Sequence, residues 1–364
     1  MEENRRPGIS AIVLAAGMST RMGTPKQLLR MGGETLLGIA LETLRKTQVR
    51  EIVVVLGASA DAIRREVELD RAKVVINEAY QEGMGTSLRA GLEAVGPGAK
   101  AALVVLADQP FLQPSTVDKL IEQHQQGRPQ IVIPLYRGFR GNPVLLDRSV
   151  FAELAGLTGD IGCRAIFGSH TENILKVPVD DAGILLDVDT PADVEMVQEA
   201  HAREAVEWEG REPLADRPQL VVVGQEGVAL ALVKLGGLLH FTVIVVDPFL
   251  TAAQTGADGV LHTLDFSRLP AAAGTYVAVA SRGRFDEEAV EQALLAKADY
   301  VALVSNKKRA QEIVASLRAR GVTPENLAAL RAPAGIAIGA EGPEEIALSV
   351  MAEIVAERRQ GRTG

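Results

Sequence analysis

The chain has 364 residues, 47% apolar, 23% charged and 4% aromatic, with a formal net charge of −9. That length fits two domains better than one, and the apolar share is that of a globular α/β protein. The acidic balance excludes a nucleic acid or a membrane surface as the general partner, so an anionic substrate has to be met by local cations.

From the start, apolar runs of strand length alternate with helix-period segments. "ISAIVLAAG" reads as a buried strand and "ETLLGIALETLRKT" as a helix with Leu36, Leu37, Ile39, Ala40 and Leu44 turned inward. "EIVVVLG", "AKVVINE" and "AALVVLADQP" read as strands, with "SADAIRREVE" and "TSLRAGLEAV" as the helices between them. Strand runs without in/out alternation, separated by helices, predict a mostly parallel sheet covered on both faces. "PSTVDKLIEQHQQ" reads as a helix with a Ser or Thr cap, and "QIVIPLYRGFRGNPVLLDRSVFAEL" as two strands around a glycine-rich turn, then a helix. "ILLDVDTPADVEMVQEAHAREAVE" reads as a strand end followed by a long helix that Thr190 and Pro191 open. The polar stretch "WEGREPLADRPQ" reads as part of a linker, after which the α/β alternation restarts at "LVVVG". The expected organisation is a first α/β domain over 1–205, a linker over 206–218 and a second α/β domain over 219–364.

The single cysteine, Cys163, excludes a disulfide framework or a cysteine-built zinc site within the chain. The N-terminal "MEENRRPGIS" lacks an apolar signal core, and the apolar run around 220–246 is broken by Gln225, Glu226, Lys234 and His240. The expectation is a cytoplasmic protein with no membrane span. His124 and His170 carry no motif context and read as surface residues.

Three clusters fall at strand ends of the first domain. "LAAGMSTRMGTPKQLL", residues 14–29, places glycines after a strand, where backbone N–H groups can approach an oxyanion, with Arg21 and Lys26 close by. Its spacing matches neither the P-loop nor the dinucleotide glycine pattern. "LADQP" places Asp108 at the carboxyl edge of the sheet, where ligands bind in open α/β folds and a carboxylate suits a hard divalent cation. "LLDVDTPAD" offers Asp187 and Asp189 at a further strand end. Taken singly, Asp108 reads equally well as a helix or turn cap, and Asp189 or Asp193 reads better as the cap of the next helix. Together the three clusters supply what metal-assisted phosphoryl or nucleotidyl transfer requires.

These residues carry a family resemblance. "LAAGMSTRMGTPKQLL", "NEAYQEGMGTSLRAGL", "LADQP", "GFRGNPVLL", "GDIGCRAI" and "DVDTPAD" resemble, in order, the motifs of the MobA-like nucleotidyltransferases over roughly residues 9–200. "LAAG" is similar to the molybdenum cofactor cytidylyltransferase branch, where the guanylyl branch usually has "LAGG". The resemblance implies a Rossmann-like nucleotidyltransferase sheet with helices on both faces. It implies nucleotide contacts from Leu14, Ala15, Ala16 and Gly17, from Lys26 and Asp108, and from Gly85, Thr86 and Ser87 near the base and ribose. Arg21, Lys26 and Asp108 are the implied catalytic residues. Mg²⁺ would be held by Asp108 with Asp189 and Asp187. The implied reaction is attack by the terminal phosphate of molybdopterin on the α-phosphate of CTP, with pyrophosphate release. Asn142 departs from the branch, which often has His before the proline. The same loop and aspartates also serve other phosphate acceptors, such as a sugar or polyol phosphate, and a non-catalytic cofactor carrier stands as a third reading.

The second half opens like a dinucleotide-binding βαβ unit, with Gly224 as first glycine and Asp247 at the end of the second strand. Glu226 stands at the middle glycine position, where a negative side chain would face the pyrophosphate, so NAD binding is not expected although Gly227 can partly restore the turn. From roughly 219 to 360 the chain resembles the C-terminal Rossmann domain of XdhC/CoxF-type maturation proteins. The resemblance implies cofactor holding or delivery to a molybdenum hydroxylase client. Ser305, Asn306, Lys307 and Lys308 stand where that family has a Gly-Ser-basic run. Ser281 and Arg282 replace its Thr-His-Asp stretch.

Overall fold

A computed structural model describes residues 8–18, 25–157, 159, 162–188, 207–210 and 217–360. Two compact units divide the chain, one of Met1–Tyr136 with Arg140–Arg203, the other of Arg137–Phe139 with Glu204–Gly364. Each is a mixed α/β fold built on its own sheet. Among the described residues no helix is long and apolar enough to cross a membrane.

The first unit runs β1 (Ile9–Ala15), α1 (Leu36–Arg45), β2 (Glu51–Leu56), α2 (Ala60–Glu66), β3 (Lys73–Ile76), α3 (Met84–Ala94), β4 (Ala101–Leu106), α4 (Pro114–Gly127), β5 (Ile131–Tyr136), β6 (Val144–Asp147) and β7 (Ile174–Pro178). Its sheet is ordered β7-β5-β6-β4-β1-β2-β3, with the short strand Phe139–Arg140 added on β5. All pairs along that path are parallel except those of β6, which runs antiparallel to both β4 and β5. β1 and β4 carry no polar alternation because helices cover both faces of a parallel sheet. Ile12, Val53, Val55, Leu88, Val104 and Leu146 are among the buried residues of one core cluster. Gly91 lets α3 close onto β1: a Cβ there would stand 2.4 Å from Ile12 Cγ2.

Local chemistry sets the element ends. Thr35 caps α1 by accepting from the Gly38 N–H at 3.1 Å. Gln113, not Ser or Thr, stands at the N-cap position of α4 and its side chain makes no capping bond; Pro114 takes the first helical position. The segment read as the strand end "ILLDV" is a short helical turn, Ala182–Leu185, instead. Buried Asp181 explains it: its carboxylate accepts from Gly183 N at 2.9 Å, Gln113 N at 3.0 Å and Thr116 Oγ1 at 2.7 Å. The long helix expected after Thr190 lies outside the described residues.

Of the two histidines read as surface residues, His124 is buried and His170 is half-buried. His124 is 4% exposed and bonded through Nε2 to Asp147 Oδ2 at 2.9 Å. His170 is largely covered, between Gln130 Oε1 at 2.7 Å and Glu153 Oε2 at 2.8 Å. Helical period gives α4 an inward stripe, and His124 falls on it with Val117, Leu120 and Ile121.

The second unit runs β8 (Trp208–Gly210), β9 (Gln219–Val223), α5 (Val228–Leu238), β10 (Thr242–Val246), β11 (Gly259–Leu261), β12 (Thr275–Val279), α6 (Asp286–Leu295), β13 (Tyr300–Leu303), α7 (Lys307–Ala319), β14 (Leu330–Arg331) and α8 (Pro343–Gln360). The sheet order is β8-β11-β10-β9-β12-β13-β14. From β9 onward the strands are parallel in the order third, second, first, fourth, fifth, sixth, which is the doubly wound dinucleotide-fold arrangement. β8 lies in the segment read as linker, yet pairs antiparallel with β11. Gly259 makes room for it, since a Cβ there would stand 2.5 Å from the Trp208 ring.

Candidate active site

The chain leaves β1 for β2 and β3 on one side and returns to place β4 on the other. That reversal opens a crevice at the carboxyl ends of β1 and β4, the place where open α/β sheets bind ligands. The loop after β1 and Asp108 after β4 both sit there. Leu14 and Leu106 are register partners, which sets the two strand ends level.

Lys26 Nζ donates to Asp108 Oδ2, tying the far end of the glycine loop to the strand that carries the carboxylate. Both side chains are mostly covered. Asp108 Oδ1 is buried and has no hydrogen-bond partner among the described residues. An ionised oxygen left in that state is costly, and a hard cation or a cation-bound phosphate relieves it. The residues present therefore fit a divalent cation at Asp108.

Asp187 and Val188, which open "DVDTPAD", reach the same strand end. Val188 N donates to the Asp108 carbonyl at 2.9 Å. Gln109 Nε2 donates to Asp187 Oδ1 at 2.7 Å and to the Ile184 carbonyl at 3.2 Å. Asp187 is exposed and takes the Gln109 amide. Asp189 and Arg21 lie outside the described residues. Among the described residues no group of three His, Cys, Asp or Glu side chains is arranged to hold a metal.

Two residues that sequence reasoning missed hold this site in shape. Gln27 is 2% exposed, and its amide donates to the carbonyls of Ala15 at 3.2 Å and Gly17 at 3.3 Å. It fixes the start of the glycine loop at Ala15 and Gly17. The signal available was a polar residue between Lys26 and the apolar Leu28–Leu29 pair. Asn77 is also buried, and its Nδ2 donates to Thr86 Oγ1 at 2.9 Å and Ser87 Oγ at 3.0 Å.

The Gly85, Thr86 and Ser87 cluster forms the first turn of α3, and all three are buried. Thr86 Oγ1 donates to the Ala79 and Gly83 carbonyls at 3.0 and 2.9 Å, and Gly85 N donates to the Gly159 carbonyl at 2.9 Å. Gly85 packs closely there: a Cβ would lie 3.2 Å from the Gly159 carbonyl oxygen. These side chains are spent on packing the helix start, which leaves backbone as what they present. Asn142, the departure from the expected histidine, donates through its backbone N to Ile184 at 3.0 Å.

In the second unit the glycine turn is formed by Gly224 at φ 136° and Gly227 at φ 52°, which opens α5. Glu226 is exposed and pairs with Arg282 at 3.2 Å. Asp247, at the position of a ribose-binding acid, is 1% exposed. Its carboxylate accepts from Phe249 N at 2.8 Å, from Leu250 N at 2.9 Å and from Gln225 Nε2. Burial pushes its pKa up from the ordinary range, against those donors and the charge of Arg284. Asn306 caps α7 by accepting from Arg309 N at 2.9 Å, with exposed Lys307 and Lys308 in the first turn. Ser281, in the place of the missing Thr-His-Asp stretch, donates to buried Asp286 at 2.6 Å.

Comparison with known proteins matches residues 11–174 to the MobA-like NTP transferase domain and residues 220–354 to the XdhC Rossmann domain. The chain is 33% identical over 199 residues to nicotine blue oxidoreductase of Paenarthrobacter nicotinovorans, covering 52% of this chain and 96% of that protein. It is 26% identical over 187 residues to the molybdenum cofactor cytidylyltransferase of Escherichia coli, covering 51% of this chain and 93% of that protein. A solved structure, the homologue of Mycobacterium tuberculosis Rv0371c from Mycobacterium sp. strain JC1, is 37% identical with a TM-score of 0.49, covering 53% of this chain and 97% of that one.

Proposed function

This chain belongs to the MobA-like NTP transferase family and carries an XdhC Rossmann domain; we propose that, as a nucleotidyltransferase, it moves CMP from CTP to molybdopterin. A terminal phosphate oxygen of molybdopterin attacks the α-phosphorus of CTP. The bond to the β-phosphate breaks as the new one forms, and pyrophosphate leaves. The observation that carries the reading is the Lys26–Asp108 pair with the orphaned Asp108 Oδ1. Lys26 and Arg21 stabilise charge on the phosphates, and the backbone of Leu14, Ala15, Ala16 and Gly17 cradles them. Gly85, Thr86 and Ser87 lie toward the base and ribose. Mg²⁺ held by Asp108, with Asp187 and Asp189 as further carboxylates, would supply charge neutralisation at the α-phosphate. No covalent enzyme intermediate is needed, because positioning and charge neutralisation lower most of the barrier.

The choice of CTP rests on "LAAG" and on the likeness to the cytidylyltransferase. The second unit, as an XdhC Rossmann domain, holds the product or passes it to a molybdenum hydroxylase client. The relative named an oxidoreductase, 33% identical over 199 residues, supports a second reading in which the same crevice serves a redox reaction.

Incubation of the full chain with CTP or GTP, with and without Mg²⁺ and molybdopterin, tests the proposal. Pyrophosphate release that needs CTP, Mg²⁺ and molybdopterin together is the expected result. Release with a sugar phosphate in place of molybdopterin moves the acceptor. Tight CTP binding with no release under any acceptor makes the unit a carrier. Oxidation of NADH or NADPH with no pyrophosphate supports the redox reading.

A further inference from the structure

A cavity of about 550 Å³ opens at the opposite, amino edge of the first sheet, away from Asp108. It exists because β6 runs antiparallel to β4, so the end of one meets the start of the other: Asp147 and Ala101 are register partners. The start of β1 at Ile9 and the end of α4 complete its walls.

The charge in this cavity runs against that of the chain. Lys100, Arg128 and Arg148 line it, with His124, and Asp147 is its one carboxylate among the described residues. Lys100 and Arg128 form no ion pair with any described residue. Arg148 is fixed in place: Nη1 donates to the Gly96 and Ala99 carbonyls at 3.3 and 3.0 Å, and the guanidinium lies 5.6 Å over the Phe151 ring. Arg128 holds the left-handed conformation at φ 47° that ends α4, its N–H donating to the His124 carbonyl at 2.8 Å. The lone carboxylate is already engaged, since Asp147 Oδ2 takes His124 Nε2 at 2.9 Å and Oδ1 takes Ser149 N at 2.9 Å. In a chain of net charge −9, two cations without counter-ions among the described residues and one anchored guanidinium face a space the size of a small-molecule site.

We propose that this cavity binds a small phosphate-bearing anion, at a site separate from the nucleotide crevice. Lys100 and Arg128 supply the attraction, Arg148 the fixed donors, and the buried His124–Asp147 pair the floor. The proposal does not depend on the reaction assigned to the crevice.

The imidazole of His124 is a local reporter, because the crevice lies at the other edge of the sheet. Inorganic phosphate is titrated into the full chain without Mg²⁺ while the histidine ring Cε1–H resonances are followed by NMR, with His124→Gln assigning the peak. The expected result is a saturable shift of the His124 resonance, with the His262 resonance unmoved. The exposed double variant Lys100→Gln/Arg128→Gln weakens the apparent affinity by about tenfold or more, the effect of removing two nearby charges. A shift that never saturates, no shift, or an equal affinity in the double variant overturns the proposal.

Discussion

Lys26 Nζ donates to Asp108 Oδ2 across 82 residues of chain, and the other oxygen of that carboxylate is buried with no partner among the described residues. The pair spans the point where β1 and β4 part. One cation and one half-satisfied anion at such a point form a site prepared for a charged ligand.

The first prediction follows from that oxygen. Asp108→Asn keeps the shape of the side chain but removes the charge a metal needs. Nucleotidyl transfer is expected to fall by about 10²-fold or more, the range seen when one charge-stabilising group is lost. Thermal unfolding should stay close to that of the parent. Parent-like turnover in Asp108→Asn would sink the metal assignment.

Gln27 acts on the loop and not on the substrate. Gln27→Leu leaves the Ala15 and Gly17 carbonyls without their buried donor, at a cost of about 1–3 kcal/mol. Gln27→Glu does no better, because a carboxylate cannot donate to two carbonyls. Both variants should raise KM for the nucleotide more than they lower kcat. A KM equal to the parent's in both would show that the loop keeps its shape without the amide.

Gly183 links stability to the site. A Cβ at this position would stand 2.2 Å from the Phe111 carbonyl oxygen, so the turn over Ala182–Leu185 would have to move away from the segment after β4. That turn supports the Ile184 carbonyl, which takes Gln109, and leads to Val188, which bonds Asp108. Gly183→Ala should therefore cost about 1–3 kcal/mol in urea unfolding and lower turnover as well. Parent-like stability would mean that the close approach relaxes freely.

Strand runs and helix period were enough to read the long inner strands of both sheets, because parallel strands buried on two faces leave a continuous apolar signature, whereas β7, β11 and β14 were not read. The crevice was legible at its charged members, Lys26 and Asp108, since their motif places them at strand ends. Gln27, Asn77 and Asp181 were not legible. Each is a buried polar residue whose partners are backbone or helix-start groups of distant segments, and no local pattern marks it. His124 was misread for the same reason: its inward face is a matter of helical phase and its partner Asp147 lies on another element. The β8 strand was hidden inside a polar and proline-bearing stretch, because its pairing rests on a glycine 51 residues from Trp208, Gly259 against Trp208 Cη2 and Cζ2.

Asp247 gives a prediction with a sign. Its carboxyl is held above the ordinary range first by burial, which the Phe249, Gln225 and Leu250 donors and the Arg284 charge do not cancel. A folded state with the higher proton affinity keeps this contribution in full below the unfolded value of about 3.9 and loses it as pH rises through the folded pKa. Asp247→Asn removes the titration, and its oxygen can still accept from Phe249 N and Leu250 N while the Gln225 amide turns over to receive its NH₂. The variant's stability relative to the parent should therefore increase as pH is raised from about 4 toward neutrality. Urea unfolding followed by fluorescence of Trp208, the chain's single tryptophan and part of the same sheet, reads the difference. A stability difference between variant and parent that is flat across that pH range would mean that Asp247 titrates in the folded state as it does in the unfolded chain.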